Sequence, residues 1–473
     1  MRSRKESRGT VEEDLTGGEV QAAVESETSG CVEAIFKTGY GKAALGLQRR
    51  EDMKKRIGFV GTRFSGLDGV SLEAAKWSQV LEEMGYEIFW FGGELDKEEE
   101  RSYLCPEAHF QSLDIEDING SISNTYQRSP HTTDKIHEVK NVIKEHLYKF
   151  KDRFNLNLLI AENCLSIPMN IPLGMALTEM IAETAIPVIG HHHDFFWERR
   201  RYLHNAAGDF LAMAFPPDLP SVKHVVINTI AQKELAARKG ISSVLIPNVL
   251  DFSKKMTLNR IDREAFREDF GFQEDDIIFL QPTRIVARKG IEHAVELVRR
   301  LKDPRIKLVI THSSSDEGLD YYNRIIDFAK NQGITIYFIN NKLHDPNQYR
   351  QGWERIYTIW DVYPYADFIT YPSSFEGFGN AFLEAIYFKK PILVNRYSIY
   401  IADIEPKGFH TVSMNGFISD EVVEHVRKVM NDKDYRKKMV DVNFHLAKAH
   451  FSLDILRRDL KCILASFFGV NGV

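Results

Sequence analysis

Cysteine is scarce in this chain of 473 residues: Cys31, Cys105, Cys164 and Cys462 stand far apart with no CxxC pair. That excludes a disulfide framework or a cysteine-based zinc site and fits a reducing compartment. Runs of about eighteen apolar residues are also missing, and polar residues follow Met1 where a secretory leader would be apolar. Neither a membrane span nor export is expected, and the expected location is cytoplasmic. Positive charge is not in excess, the net charge being -6, so general nucleic-acid binding is not expected and a small-molecule substrate is. Neither half of the chain opens with GxGxxG, which argues against an NAD-dependent oxidoreductase.

What is present is enough apolar sequence for two cores: 43% hydrophobic residues over this length fit two ordinary domains. Residues 1–52 carry no sustained apolar periodicity and are expected to form a disordered leader. From Met53 the pattern becomes strand, turn, helix, strand. IGFVG reads as a buried strand, Ala74, Trp77, Leu81 and Met84 fall at helical spacing, and YEIFWF reads as the next strand. Further alternation to Val225–Asn228 marks a parallel sheet covered by helices. A polar segment follows SSVLIPNVLDF, and a second alternating series starts with IIFLQ at Ile277. The expected organisation is an α/β domain at 53–250, a second at 251–450, and a C-terminal helix at 451–473 that crosses back to the first. Helices are expected at about Ser419–Met439 and Phe451–Phe468.

Two segments of the second domain carry chemistry. In PSSFEGFGNAFLEAIYFKK, Glu376 sits in a loop with Gly377, Phe378, Gly379 and Asn380, and Glu384 lies about one turn into the following helix. Such a loop presents backbone N–H groups and partial positive charge, which suit a phosphate or a sugar hydroxyl, while the carboxylates can accept from sugar and ribose hydroxyls. The competing reading is that two glutamates near a helix start merely suit its dipole. In QPTRIVARKGIEHAVELV, Arg284 and Lys289 precede a helix N-terminus and suit a diphosphate, with Arg288 as a spare cation. The bland alternative is a solvated basic turn.

Two glutamates separated by seven residues, joined by GFGNAFL and preceded by the basic turn, resemble glycosyltransferase family 4. The resemblance runs over roughly Ile57 to Phe451. It implies the GT-B fold, two Rossmann-like domains facing each other across a cleft, and a retaining hexosyltransferase. It also implies donor contacts for residues matching Arg284, Lys289, Glu376 and Glu384: diphosphate for the first two, the transferred sugar and the ribose for the others. The early turn Ser65-Gly66-Leu67-Asp68-Gly69 resembles the family's glycine loop, which places Gly69 near the donor phosphates.

In IPVIGHHHDFFWERRRY, the resemblance assigns His193 to the transferred sugar near the reacting carbon, with His191 as the competing choice. Asn163, His191, Asp194 and Arg199 are candidate acceptor contacts, as are Glu162 and Asn170 from ENCLSIPMNIPLG. For Arg199, Arg200 and Arg201 an exposed helix face is the alternative to recognition of an acceptor anion. Adjacent strand residues point to opposite faces and no partner of known ligand spacing follows, so the three histidines are not expected to hold a metal. No cofactor is expected. The expected partners are a nucleotide sugar and a small soluble acceptor, such as a sugar phosphate or a glyceric-acid glycoside. PNVLDF departs from the family, many members having glycine after the asparagine. A nucleotide-sugar epimerase on the same scaffold and a non-catalytic nucleotide-sugar-binding protein are the rival functions.

Overall fold

The computed structural model describes residues 55–66, 68–254, 262–312, 319–340, 343 and 357–470. The leader at 1–52, Leu67 and part of the interdomain segment lie outside the described residues.

Two parallel sheets organise the chain. The first contains β1 (Arg56–Val60), β2 (Glu87–Gly92), β3 (Ser102–Leu104), β4 (Leu158–Glu162), β5 (Val188–His192), β6 (Val222–Val226) and β7 (Ser243–Leu245), in the order β3-β2-β1-β4-β5-β6-β7. The second contains β8 (Ile277–Gln281), β9 (Ile306–Ile310), β10 (Ile336–Phe338), β11 (Phe368–Tyr371), β12 (Ile392–Asn395) and β13 (Val412–Met414), in the order β10-β9-β8-β11-β12-β13. Every residue of β4, β5, β11 and β12 is buried, as expected of strands covered on both faces. In each sheet the order reverses beside its first strand, which opens a crevice at the carboxyl ends of the strands.

Local chemistry sets the elements that flank the crevice. Asp68 caps the helix Gly69–Glu83 by accepting from the Val70 and Ser71 N–H groups, and Ala74, Trp77, Val80 and Leu81 bury its inner face. On the opposite lobe, Gly379 at φ 119° precedes the helix Asn380–Tyr387, and a Cβ there would meet the Tyr397 Oη at 2.7 Å, so only glycine fits.

The chain passes between the lobes at two neighbouring points. Leu250 pairs with Ser452, its N–H donating to the Phe451 carbonyl at 2.8 Å. Beyond that point the helix Leu453–Phe468 buries Leu456, Leu460, Ile463 and Leu464 in the core of the first lobe with Trp77 and Leu81. The first crossing is clamped by the helix Gly69–Glu83. The buried Glu73 carboxylate accepts from the Val249 N–H, while Lys76 Nζ donates to the Val249 carbonyl.

The structure differs from expectation in several places. The helix expected over Ser419–Met439 is two, Asp420–Asn431 and Lys433–Phe451, because Asp432 breaks the first and caps the second by accepting from the Tyr435 N–H. Two short edge strands, β3 and β13, have too little apolar periodicity to be read from sequence, and the helix Leu113–Ile122, which buries Ile115, Ile118 and Ile122 at helical spacing, adds to the expected elements. Asn170, a candidate acceptor contact, is instead buried as the cap of the helix Ile171–Thr184 and donates to the Glu107 carbonyl.

Candidate functional site

A cleft of about 740 Å³ lies between the lobes at the carboxyl ends of both sheets, within the range of small-molecule sites. The second lobe lines it with Arg284, Arg288, Lys289, Glu376 and Glu384, and the first lobe with Gly69, His193, Asp194 and Arg199. Gly377, Phe378, Gly379 and Asn380 complete the loop side.

The basic turn and the glycine loop meet. Gly290, at φ 60°, takes the chain so close to the loop that a Cβ would lie 2.5 Å from the Pro372 carbonyl oxygen. Lys289 Nζ then donates to Glu376 Oε1, and Arg288 Nη1 donates to Glu376 Oε2 at 3.1 Å. Burial lowers the Lys289 pKa, helped by the positive charges of Arg288 and Arg284 and opposed by Glu376. Burial would raise that of Glu376, but the charges of Lys289 and Arg288 outweigh it and the net shift is downward. Arg288 is therefore no spare: it is the second cation on Glu376. Eight residues on, burial raises the Glu384 pKa, and one of its oxygens accepts from the Tyr363 hydroxyl at 2.7 Å.

The lobes touch around this set. Asn228 Nδ2 donates to the Gly377 carbonyl at 2.8 Å, and Asn248 Nδ2 to Asn380 Oδ1 at 2.9 Å. Asn248 belongs to the departing PNVLDF segment, which thus contacts the start of the helix after the glycine loop. A Cβ on Gly69 would lie 3.8 Å from Asn380 Nδ2, which puts the early turn opposite that helix. The Thr229 N–H and hydroxyl both donate to Asp403, at 2.9 and 2.6 Å.

At the end of β5, His191, His192 and the following His193 part as the strand alternation demands. His192 points to the other face and pairs with His224, Nε2 to Nδ1 at 2.9 Å. His191 is fully buried, its ring stacked on Trp77 with centroids 4.1 Å apart. His193 reaches the cleft. Strand pairing sets Glu162 of β4 opposite His191. The Glu162 carboxylate lies 3.0 Å from His191 Nδ1 through both oxygens and 3.3 Å from His193 Nε2.

His191 and Asn163, both candidate acceptor contacts, lie outside the cleft lining. Asn163 Oδ1 is occupied by the His193 N–H at 3.1 Å and the Ser166 hydroxyl at 2.9 Å, so it shapes the turn after β4. Arg199 reaches the cleft and donates to Asp194.

Among the described residues, two groups of side chains approach a metal-ligand arrangement. In one, Glu162, His191 and His193 bring ligand atoms within 4.8 Å of one another, but those atoms hydrogen-bond among themselves. In the other, Cys105 lies beside Glu107 and His146, and burial and Glu107 push its thiol up to about 12.

Sequence reasoning missed His312, just past β9, and the segment Thr358–Asp361 with Trp360, all of which line the cleft. Burial and the charges of Lys289 and Arg284 hold the His312 pKa at about 4, so its ring is neutral. Its place at a strand's carboxyl end was the available signal. The Glu162 contact with His193 joins neighbouring strands and has no signature in linear spacing.

Comparison with known proteins adds three findings. Residues 262–443 match the model of the family described as glycosyl transferases group 1. Mannosylglucosylglycerate synthase of Thermotoga maritima is 31% identical, across 86% of this chain and 99% of that protein. The enzyme of the same name from Petrotoga mobilis is 34% identical, across 76% and 86%. Among solved structures, sucrose-phosphate synthase from Thermosynechococcus elongatus aligns with a TM-score of 0.61 at 13% identity, covering 88% of this chain and 99% of that one. A glycosyltransferase from Rickettsia africae aligns with 0.61 at 14% identity, covering 87% and 98%. Both share the two-lobed GT-B fold.

Proposed function

The chain belongs to the glycosyl transferases of group 1, and on that premise we propose that it moves a hexosyl group, with mannosyl the first choice, from a nucleotide sugar to a soluble glycoside of glyceric acid. The two relatives named as mannosylglucosylglycerate synthases support the acceptor class. One observation carries the reading: a single interlobe cleft lined by Arg284, Lys289, Glu376 and Glu384 on one side and by Gly69, His193 and Arg199 on the other.

In this reading the nucleotide lies along the second lobe. Glu384 takes ribose hydroxyls with the oxygen that Tyr363 leaves open, and Glu376 holds hydroxyls of the transferred sugar. Breaking the anomeric bond leaves negative charge on the diphosphate. Arg284, Lys289 and the helix start at Asn380 supply fixed positive potential there, the logic of an oxyanion hole, so no divalent ion is required. The acceptor enters from the first lobe, where Arg199 suits its carboxylate. Attack from the face the diphosphate leaves, with a leaving phosphate oxygen taking the acceptor proton, retains the anomeric configuration. Glu376 positions the sugar and is not required as a nucleophile.

The test is incubation with GDP-mannose or UDP-glucose, with and without glucosylglycerate and in the presence of EDTA, followed by NMR of the product. Acceptor-dependent formation of an α-linked product, undiminished by EDTA and lost in Glu376→Ala, is expected. Donor turnover without acceptor would point to an epimerase, and tight donor binding with no turnover on any acceptor to a non-catalytic protein. Either result overturns the proposal.

A further inference from the structure

Glu162 is fully buried, yet it lies one side chain away from the cleft. A lone carboxylate is costly to bury unless it is paired, and its partners here are both histidines of one strand face. His191 is held from behind by Trp77 and faces the carboxylate through Nδ1. His193 presents Nε2 to the same carboxylate, and its backbone N–H is fixed by Asn163. Because Nε2 is engaged, Nδ1 is the nitrogen of His193 left for the cleft.

The geometry points to Glu162 as a positioning residue for glycosyl transfer: it locks the ring of His193 in one orientation and balances a proton on it, so that a charged N–H donor faces the sugar and acceptor. The inference rests on the site proposed above, whose cleft His193 lines. The charged and titratable groups around His193 are Glu162 on β4, His191 and His192 on β5, Asp194 next in sequence and Glu73 on the helix Gly69–Glu83. Across the cleft the glycine loop approaches at Gly377, where a Cβ would lie 3.4 Å from the His193 carbonyl oxygen. Burial by itself lowers the His193 pKa. The hydrogen bond and charge of Glu162, with Glu73 and Asp194, outweigh it, and the net shift is upward. The Glu162 pKa moves the other way, burial being outweighed by the two histidines. Both shifts favour the charged pair, carboxylate beside protonated imidazole, over the neutral one.

The test compares wild type, Glu162→Gln and His193→Ala, with circular dichroism and GDP and UDP binding as measures of folding. Glu162→Gln is expected to keep its nucleotide affinity and the donor KM within about twofold, while kcat falls by roughly a hundredfold, as when one preorganised donor is lost. The alkaline limb of its kcat profile moves to lower pH. NMR of ¹⁵N-histidine-labelled protein, assigned with His193→Ala, follows the same ring directly and shows it titrating at lower pH in the variant. A purely structural carboxylate would leave the pH limb in place. If His193→Ala is inactive but Glu162→Gln keeps the wild-type rate and profile, this inference alone falls; if His193→Ala is fully active, the reading of the site falls with it. Should the glutamine variant not fold, wild type decides: His193 titrating below the free imidazole value overturns the proposal. A stoichiometric metal ion in the purified protein, lost on substitution of any of the three side chains, overturns it as well.

Discussion

Replacing Lys289 by methionine removes the ammonium and keeps most of the apolar stem, which isolates the charge. At about 4 Å, one positive charge is worth on the order of 4 kcal/mol to one negative charge at the effective dielectric of such a site. The bound diphosphate feels part of this before reaction, so only the increment gained as the bond breaks speeds transfer. That increment is comparable with the roughly 2.7–4 kcal/mol lost with a single oxyanion-hole donor, and kcat is expected to fall about 10²- to 10³-fold. Breaking a buried ion pair outright costs about 3–5 kcal/mol of stability. Here Arg288 stays on Glu376 at 3.1 Å and limits the cost, so the variant folds with a lowered melting temperature. Initial rates of nucleoside diphosphate release in the presence of acceptor measure kcat, and thermal unfolding with and without the diphosphate measures fold and binding. A folded Lys289→Met protein with kcat within threefold of wild type would refute the argument, because no other change to the potential at the leaving group has been made.

Glu376→Ala frees both Lys289 and Arg288, so calorimetry is expected to show GDP or UDP binding more tightly while transfer disappears; unchanged or weaker binding would contradict the neutralising role of the carboxylate. Glu384→Gln keeps the shape but loses the charged acceptor, and the donor KM is expected to rise about ten- to a hundredfold, as for the loss of a charge-assisted hydrogen bond worth about 1.5–3 kcal/mol. Gly379→Ala is expected to lose about 1–3 kcal/mol in denaturant unfolding, since the new methyl group meets Tyr397 at a backbone angle alanine rarely adopts. His224 gives a pH test: burial lowers its pKa from 6.5 to about 4 in the folded protein. Between those values the unfolded chain binds more protons, so stability is lost as pH falls from about 6.5 towards 4, and the melting temperature of His224→Gln should depend less steeply on pH in that window.

Much of this architecture was legible in the sequence because its strands are buried on both faces and read as apolar runs, such as LLIAE and ILVN, between amphipathic helices. The short edges β3 and β13 were not, since a three-residue strand carries almost no period. At the site, the glycine loop and basic turn are continuous motifs and could be read directly; all four of Arg284, Lys289, Glu376 and Glu384 line one cleft. What the chain could not reveal is pairing across distance. Nothing in spacing says that Arg288 grips a residue 88 positions away, or that β4 lies beside β5 and brings Glu162 to the histidines. Asn163 and His191 stand at strand ends, as their sequence suggests, but only the fold shows Asn163 holding the His193 N–H and His191 stacked on Trp77.

The two crossings between the lobes, joined where Leu250 meets Phe451, make the second lobe an insertion whose ends are neighbours, while the first lobe is assembled from two separate stretches of polypeptide. The second lobe of another family member could therefore be grafted as the single block 251–451, provided the contacts of Asn228, Thr229 and Asn248 with it are kept. The first lobe, by contrast, could be produced alone only with the helix Leu453–Phe468 rejoined to it, since that helix fills its core. In such a chimera, the proposed function predicts donor and acceptor preference inherited from different parents.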